Sequence, residues 1–510
     1  MNYADLFRVT MPETVLEVAA LLVLVIDLSA LRNAAQKTRM TVAALLGVVG
    51  CLAALCTVLH TSGASLSYNG NVLLAVGGAA TVAQAAILAL TALTLLLAVG
   101  TDFTRHGGEY TAVVMMAAAG GMVVSAAQDL LVIFIGLELL SLGLYILTAF
   151  AKTSGKSSEA ALKYYLFGGM SAAFLLFGFS YLYGIAGTTS LRGILQATYG
   201  LNAYHAAPLL YAALVMVAAG LGFKVAAVPF HLWAPDTYEG APAPAAAFIA
   251  SVSKVASFAL LISIGTASWH MFDGMQGLAC PGLTGMQTTF APGYLGFRST
   301  WTLILVALAV ASMILGNLAA LAQSSVRRLL AYSAIAHAGY ILLGLAYFSQ
   351  TPVSANAILY YIVTYGLTTI GAFGVVAVVE QATGSDRMDG FLGLHKRNPL
   401  LAGVLLVLFL SLAGIPPLVG FWAKFNLFAA VLGVGAGKVP FVLVALAIAM
   451  SAVSLYYYLQ VLKRAYVMPA VDETPMKAHP VTMAVLVAIA LAVVALGCFP
   501  AMLQGWIASF

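Results

Sequence analysis

An all-α membrane protein is the fold this sequence predicts, and three observations carry the prediction. Of 510 residues, 62% are hydrophobic and only 8% charged, against about 25% charged in a soluble domain. Apolar stretches close to the roughly 20 residues that cross a bilayer follow one another, separated by short polar gaps. The alternation of a lipid-facing barrel strand is absent, and lipid cannot satisfy an open strand edge, so the spans read as helices.

Hydropathy places about fourteen spans, at 10–31, 40–60, 78–100, 110–127, 130–150, 160–186, 207–228, 243–267, 300–321, 328–348, 353–380, 399–432, 439–462 and 481–503. The twelfth is too long for one straight helix, and Gly414-Ile415-Pro416-Pro417 divides it into two half-helices. The seventh ends in a similar break at Val228-Pro229-Phe230. The weakly polar, glycine-containing stretch 62–77 reads as a loop. The first span follows an acidic start (Asp5, Glu13, Glu17, with Arg8) and is too long for a signal h-region, so no cleavable leader is expected.

Basic residues set the orientation. Fifteen of the 22 lysines and arginines fall in one set of loops, including Arg32, Lys152, Arg327, Lys396 and Arg464. The opposite set holds four (Arg8, Arg192, Arg298, Lys438), and Lys224, Lys254 and Lys424 are left inside spans. A missed span would flip every later loop, so the asymmetry supports fourteen spans with both termini on the periplasmic side of a bacterial inner membrane. Spans four to eight and nine to thirteen each contain one proline-broken helix with a lysine. Five spans per unit is odd, so the two units are expected to be inverted relative to each other. The resulting division is 1–105 for three N-terminal helices, 106–267 for the first unit, 268–299 for a periplasmic loop, 300–466 for the second unit, and 467–510 for a last helix.

Composition also excludes functions. The net charge of +5 sits in membrane loops and gives no footprint for nucleic acid. Cys51, Cys56, Cys280 and Cys498 show no CxxC spacing, so neither a metal site nor a cluster nor a disulfide framework is expected. No glycine-rich nucleotide fingerprint follows a strand, which leaves this chain without an expected cofactor.

Chemistry concentrates in the charges that remain. Lys224 lies in AAGLGFKVAAVPFHLW. A lysine at a helix centre costs about 3 kcal/mol to insert, and the plain reading is a snorkelling stem that reaches the headgroups. The functional reading is a buried proton carrier, because burial disfavours the charged amine. Glu138, mid-span in LVIFIGLELLSLGLYIL, needs a partner, a proton or water. A buried lysine is its natural partner, and such a pair works as a switch. Lys254 lies among Ser251, Ser253 and Ser257, small hydroxyl residues that can carry water or let helices approach. Lys424 follows the second break, where freed backbone carbonyls admit water. His231, after Pro229, and His337, in RLLAYSAIAHAGYILL, are candidate relays, with hydrogen-bonded structural histidines as the plain reading. Asp236 and Glu239 read as a solvated turn on the basic side. Four ionisable groups in four spans, two of them proline-broken, form the expected outline of a proton path.

The segments GFKVAAVPFHLWAPDTYEGAPAPAAAF, NLAALAQSSVRRLLAYSAIAHAGYILLG and LAGIPPLVGFWAKF closely resemble the antiporter-like membrane subunits of proton-pumping NADH:quinone oxidoreductase, respiratory complex I. The likeness spans roughly 110–465 and is nearest to the N type, the mitochondrial subunit 2 type. Asp236 to Pro242 resembles the N pattern, and Lys424 fits N or L where M places a glutamate. The end of the chain after span fourteen leaves out the lateral helix of L. The resemblance implies that Glu138 and Lys224 pair in the first half, that Lys254 links the halves and that Lys424 terminates the second. It implies neighbouring M, K and J subunits, with NADH, FMN, iron–sulfur clusters and quinone held by other subunits. A multisubunit sodium/proton antiporter shares the motifs and is the first alternative. A non-pumping structural subunit is the second, and a solute transporter is disfavoured because no further pocket-like polar set is evident. Segment 268–299, with Cys280-Pro281-Gly282, is longer than the family pattern and has no account.

Overall fold

The computed structural model describes residues 3–199, 207–276, 292–348, 352–434, 438–470 and 474–510. The N-terminal part comprises α1 (Tyr3–Val9), α2 (Met11–Ser29) and α3 (Gln36–Thr61), then a hairpin of β1 (Ala64–Tyr68) and β2 (Asn71–Val76), then α4 (Ala79–Ala98). The next group is α5 (Gly107–Ala126), α6 (Leu130–Thr148), α7 (Gly155–Ala186), α8 (Leu191–Tyr199), α9 (Ala207–Val225), α10 (Trp233–Gly240) and α11 (Ala243–Gln276). A third follows with α12 (Pro292–Leu321), α13 (Val326–Ala346), α14 (Pro352–Thr383), α15 (Leu394–Arg397), α16 (Pro399–Ala413), α17 (Val419–Gly433) and α18 (Lys438–Tyr466). The chain closes with α19 (Pro480–Cys498) and α20 (Pro500–Ala508).

The protein is an all-α membrane protein. Among the described residues twelve helices are long and apolar enough to cross a membrane. α2 has 19 residues but carries Glu13, Glu17 and Asp27, and α16 and α17 are two apolar halves of 15 residues each. Local chemistry explains where helices start. Asp129, Ser154, Ser325 and Asn398 each accept a backbone N–H at the N-cap of α6, α7, α13 and α16, which satisfies donors that an apolar slab would leave unpaired. Buried acids are matched as well. Asp27 is held by both Arg39 Nε (2.8 Å) and Nη2 (2.6 Å), and Glu13 receives Gln84 Nε2 at 2.9 Å.

One expectation is overturned. The stretch 62–77 is not a loop but carries the antiparallel hairpin β1–β2. Its turn is Asn69-Gly70, both at positive φ (49° and 81°), the pair that a tight two-residue hairpin turn favours. β1 does alternate, with Ala64, Leu66 and Tyr68 against Ser65 and Ser67, but over only five residues, and β2 (NVLLAV) does not alternate. In 268–299, α11 extends through Gln276 and α12 begins at Pro292, while Cys280-Pro281-Gly282 lies outside the described residues.

The centre of the bundle is formed by α11 and α13, whose apolar stretches are 89% and 94% buried. α11 packs on α4, α5 and α14, and α12 packs along α13. The most enclosed helices therefore carry Lys254 and His337. The half-helices α16 and α17 meet at Gly420, whose N–H donates to Ser411 Oγ at 3.2 Å. A Cβ at Gly420 would fall 1.8 Å from Ser411 O. Gly420→Ala is expected to force the halves apart at an overpacking cost of about 1–3 kcal/mol. A lowered melting temperature of the purified assembly checks this, and an unchanged one would show that the halves separate freely.

Candidate functional site

Lys224 occupies the last turn of α9. The helix stops one residue later, where Ala226 adopts φ 59°. The backbone freed by the break is met locally: Ala227 N–H donates to Gly222 O (2.8 Å), and Val228 N–H donates to Ser312 Oγ of α12 (2.9 Å). Trp233 Nε1 donates to Phe223 O at 3.0 Å. The break is thus a built feature, braced from α10 and α12, and it presents the lysine to α6. There Glu138 and Ser141 lie one turn apart on the same face. Lys224 Nζ donates to Ser141 Oγ at 2.6 Å and stands 3.5 Å from Glu138 Oε1. The carboxylate side chain keeps 25% of its surface exposed, whereas the lysine is enclosed.

Lys254, 2% exposed, donates to Ala334 O of α13 at 2.7 Å and lies 5.9 Å from the centre of the Tyr365 ring. Ser251, Ser253 and Ser257 around it donate to carbonyls one turn back in their own helix. His337 Nδ1 pairs with Tyr361 OH at 2.8 Å, while Nε2 has no partner among the described residues. Its ring lies 4.9 Å from Tyr365 and 5.8 Å from Tyr340. Lys424 Nζ donates to Ala413 O (2.9 Å), Leu412 O (3.1 Å) and Ser451 Oγ (2.7 Å), and stands 5.6 Å from the Tyr340 ring centre. The first two acceptors are the free carbonyls at the C-terminal end of α16, where the helix dipole favours a cation. Gly414, at φ 88°, turns the chain there and leaves space that a Cβ would deny to the amine.

None of the three amines reaches for headgroups; each points into protein. Contacts join Lys254 through Tyr365, His337 and Tyr340 to Lys424. Glu138, Ser141 and Lys224 form a second group. Among the described residues no hydrogen bond, ion pair or ring contact joins Lys224 to Lys254. His231 belongs to neither group. It sits in the turn between α9 and α10 and lines an open cleft of about 690 Å³ with Lys163, Asp236, Arg328 and Tyr332. Its Nδ1 has no partner among the described residues.

Asp236 and Glu239 are not a solvated turn. They lie in α10 at the centre of a charge network on the basic face. Asp236 receives Lys163 Nζ (2.8 Å) and Arg328 Nη1 (2.7 Å). Glu239 receives Arg328 Nη1 (3.0 Å) and Lys156 Nζ (3.2 Å). Arg327, 4% exposed, donates to Glu239 O (2.8 Å) and Ala241 O (2.7 Å) and pairs with Glu380 at 2.6 Å. Sequence reasoning passed over this network because its cations come from α7 and α13, remote in the chain. The local signal was two acids at helical spacing directly after Pro235.

These features define a polytopic membrane protein with paired and carbonyl-held lysines at helix breaks. The family model for the NADH:quinone oxidoreductase/Mrp antiporter transmembrane region matches residues 127–276 and 278–451, and the chain belongs to that family. It is 46% identical to NADH-quinone oxidoreductase subunit N 2 of Acidobacterium capsulatum over 99% of both chains. In structure it resembles a chain of respiratory complex I from Thermus thermophilus with bound aureothin, at TM-score 0.74 and 31% identity, covering 97% of this chain and 98% of that one. A chain of the Mrp complex from Dietzia sp. DQ12-45-1b shares the fold, at TM-score 0.77 and 21% identity over 98% and 97% of the two chains.

The Asp236 carboxyl responds to pH in a definite direction. Burial pushes it up, but the hydrogen bonds and charges of Lys163 and Arg328 outweigh burial and hold it below its ordinary value. A depressed carboxyl contributes stability above its unfolded pKa of about 3.9 and loses it as pH falls through the folded value. Asp236→Asn should lower the melting temperature at neutral pH, with the difference from wild type shrinking below about pH 4. A difference independent of pH would show that the network does not act through charge.

Proposed function

We propose that this chain is the proton-translocating, N-type membrane-arm subunit of an NADH:quinone oxidoreductase in a bacterial inner membrane. In this reading α2, the twelve long helices and the α16–α17 pair make fourteen crossings. Two inverted five-helix units are centred on the α9–α10 and α16–α17 breaks, and both termini face the periplasm. The division at 1–105, 106–267, 268–299, 300–466 and 467–510 belongs to the same proposal. Antiporter-like subunit M and the small subunits K and J are its neighbours. NADH, FMN, iron–sulfur clusters and quinone are held by other subunits.

The observation that carries the reading is the enclosed Lys224 paired with the half-buried Glu138, beside the Lys254–His337–Lys424 line. While the carboxylate stands 3.5 Å away, the Lys224 ammonium has its counter-ion. When a charge change arriving from neighbouring subunits neutralises or displaces Glu138, the ammonium is left uncompensated in a medium that penalises lone charge, and it gives up its proton. The proton passes by way of water to Lys254. From there it follows the His337 ring and its tyrosines to Lys424, whose carbonyl acceptors hold it until release toward the periplasm. His231 is the candidate relay on the basic side of Lys224.

Lys224→Met, Lys254→Met and Lys424→Met in the assembled enzyme should each lower protons moved per electron while leaving the subunit incorporated. Proton yields equal to wild type in all three would make this a structural spacer.

The Mrp likeness favours one second reading, a subunit of a multisubunit sodium/proton antiporter. Mild detergent extraction separates the two. Flavin and iron–sulfur proteins that co-purify support the oxidoreductase, and small membrane proteins alone support the antiporter.

A further inference from the structure

Glu13, in the first turn of α2, takes no part in the lysine line. It is 8% exposed and faces Gln84 of α4, which is wholly enclosed. Gln84 Nε2 carries two hydrogens, and both are placed, one on Glu13 Oε1 at 2.9 Å and one on Met122 O of α5 at 3.3 Å. Turning the amide over would set its oxygen against those two acceptors, so its neighbours fix its orientation. Two oxygens remain. Glu13 Oε2 and Gln84 Oε1 have no hydrogen-bond partner among the described residues. The cluster therefore holds more acceptors than donors, although buried polar groups are ordinarily satisfied.

Other buried acids do not share this shortfall. Asp27 has both oxygens on the Arg39 guanidinium, and Asp129 takes the Leu131 N–H on one oxygen and the Thr189 hydroxyl on the other. Glu138 and Glu380 have Lys224 and Arg327. Among the described residues no such cation meets Glu13. α4 carries no ionisable side chain, and those of α5, Glu109 and Tyr110, stand in its first turn while Met122 lies in its last. α3 brings Cys51, Cys56 and His60, with Lys37 and Arg39 at its other end, and α1 brings Tyr3, Asp5 and Arg8. The charge that acts on Glu13 is that of Glu17, one turn on and of the same sign.

We propose that Glu13 is a proton-binding site separate from the lysine line, in which a neutral carboxyl and the Gln84 amide bond each other in both directions and fasten α2 to α4. One proton on Oε2 meets the whole shortfall. It turns Oε2 from an acceptor into a donor, gives Gln84 Oε1 the hydrogen it lacks, and removes a charge that burial penalises. The free N–H groups at the start of α2 favour a carboxylate, but by less than burial costs an anion without a counter-ion. When the proton leaves to water, only the O–H bond breaks. The carboxylate keeps its bond from Nε2, and Gln84 Oε1 is again unpaired. α2 packs directly on α3 and α5, so this pair is what carries its hold across to α4. The inference does not draw on the relay reading and stands whether or not the lysines conduct.

The test uses the purified native assembly that contains this chain, at about pH 7, well above the ordinary carboxyl value of about 4.3. Infrared difference spectra between wild type and Glu13→Gln should show a carboxylic-acid C=O band in wild type that the variant lacks. In Gln84→Leu the same band should move to higher frequency, because its hydrogen-bonding partner is gone. Hydrogen exchange at the α2 amides should be unchanged in Glu13→Gln, where two amides still bond both ways. In Gln84→Leu it should rise about fivefold, the factor that one net hydrogen bond represents. Carboxylate bands in place of the acid band would show Glu13 ionised and overturn the proposal. Should Glu13→Gln fail to assemble, an acid band that does not move in Gln84→Leu overturns it equally. Carboxylate bands together with slower α2 exchange in sodium chloride than in choline chloride would assign the two oxygens to a metal cation and overturn the proton. Equal exchange in all three proteins overturns the fastening of α2.

Discussion

An ammonium group withdrawn from water must be solvated by protein oxygen, and the rest of this structure follows from meeting that demand three times. An intact helix has no carbonyls to spare in its interior. Both remedies visible here are interruptions of helix order. At Lys424 the chain ends α16 early, and Leu412 and Ala413 turn their free carbonyls to the amine. At Lys224 the helix stops beside the lysine, and α6 supplies Ser141 and Glu138. Lys254, inside the long α11, instead takes Ala334 O from α13. Of these three amines, only Lys224 has a carboxylate at ion-pair distance among the described residues. Carbonyl dipoles cannot be neutralised, but a carboxylate can. The three amines thus differ in kind, and only the first can be addressed by a proton or a charge arriving from outside.

The basic-face network ties these sites mechanically. Arg327 and Arg328 open α13 and bind α10 and α14 through Glu239, Asp236 and Glu380. α10 follows directly on the break beside Lys224, while α13 carries Ala334 and His337. α10 is thus tied by direct ion pairs to α13, the helix that supplies the acceptor of Lys254. The halves lack a side-chain contact between Lys224 and Lys254, but they share this rigid link at one end. Exposure limits the worth of each single pair in the network. Its effect lies in the number of elements it joins.

Legibility in the sequence divides along the same physical line. Spans and their interruptions could be read because apolar length and proline are local properties. Glu138, Lys224, Lys254 and Lys424 could be read because charge in an apolar run is costly wherever its partners lie. What could not be read are contacts whose partners are distant in the chain. Asp236 looked solvated because Lys163 and Arg328 stand on other helices. Ser312 meets the broken backbone across 84 residues, and Gln84 meets Glu13 across 71. The hairpin at 64–76 was missed for a different reason. Its turn residues, Asn69-Gly70, were in plain view, but the alternation of β1 is only five residues long and β2 does not alternate.

In the proposed relay, the segment between Lys254 and Lys424 has to conduct without leaking. Its contacts are rings: Tyr365, His337 and Tyr340 in succession, with a cation facing the aromatic surface at each end. A ring face attracts a cation without offering it a lone pair that can accept a proton. The ring faces therefore steady both amines without themselves taking up a proton, while the Tyr361 hydroxyl is hydrogen-bonded to His337 Nδ1. His337 adds to them a nitrogen, Nε2, that has no partner among the described residues. Water admitted beside that nitrogen would complete a path, and its withdrawal would break the path, while both lysines remain held. In the proposed relay, conduction and support would rest on different atoms, which would let the line be opened without being dismantled.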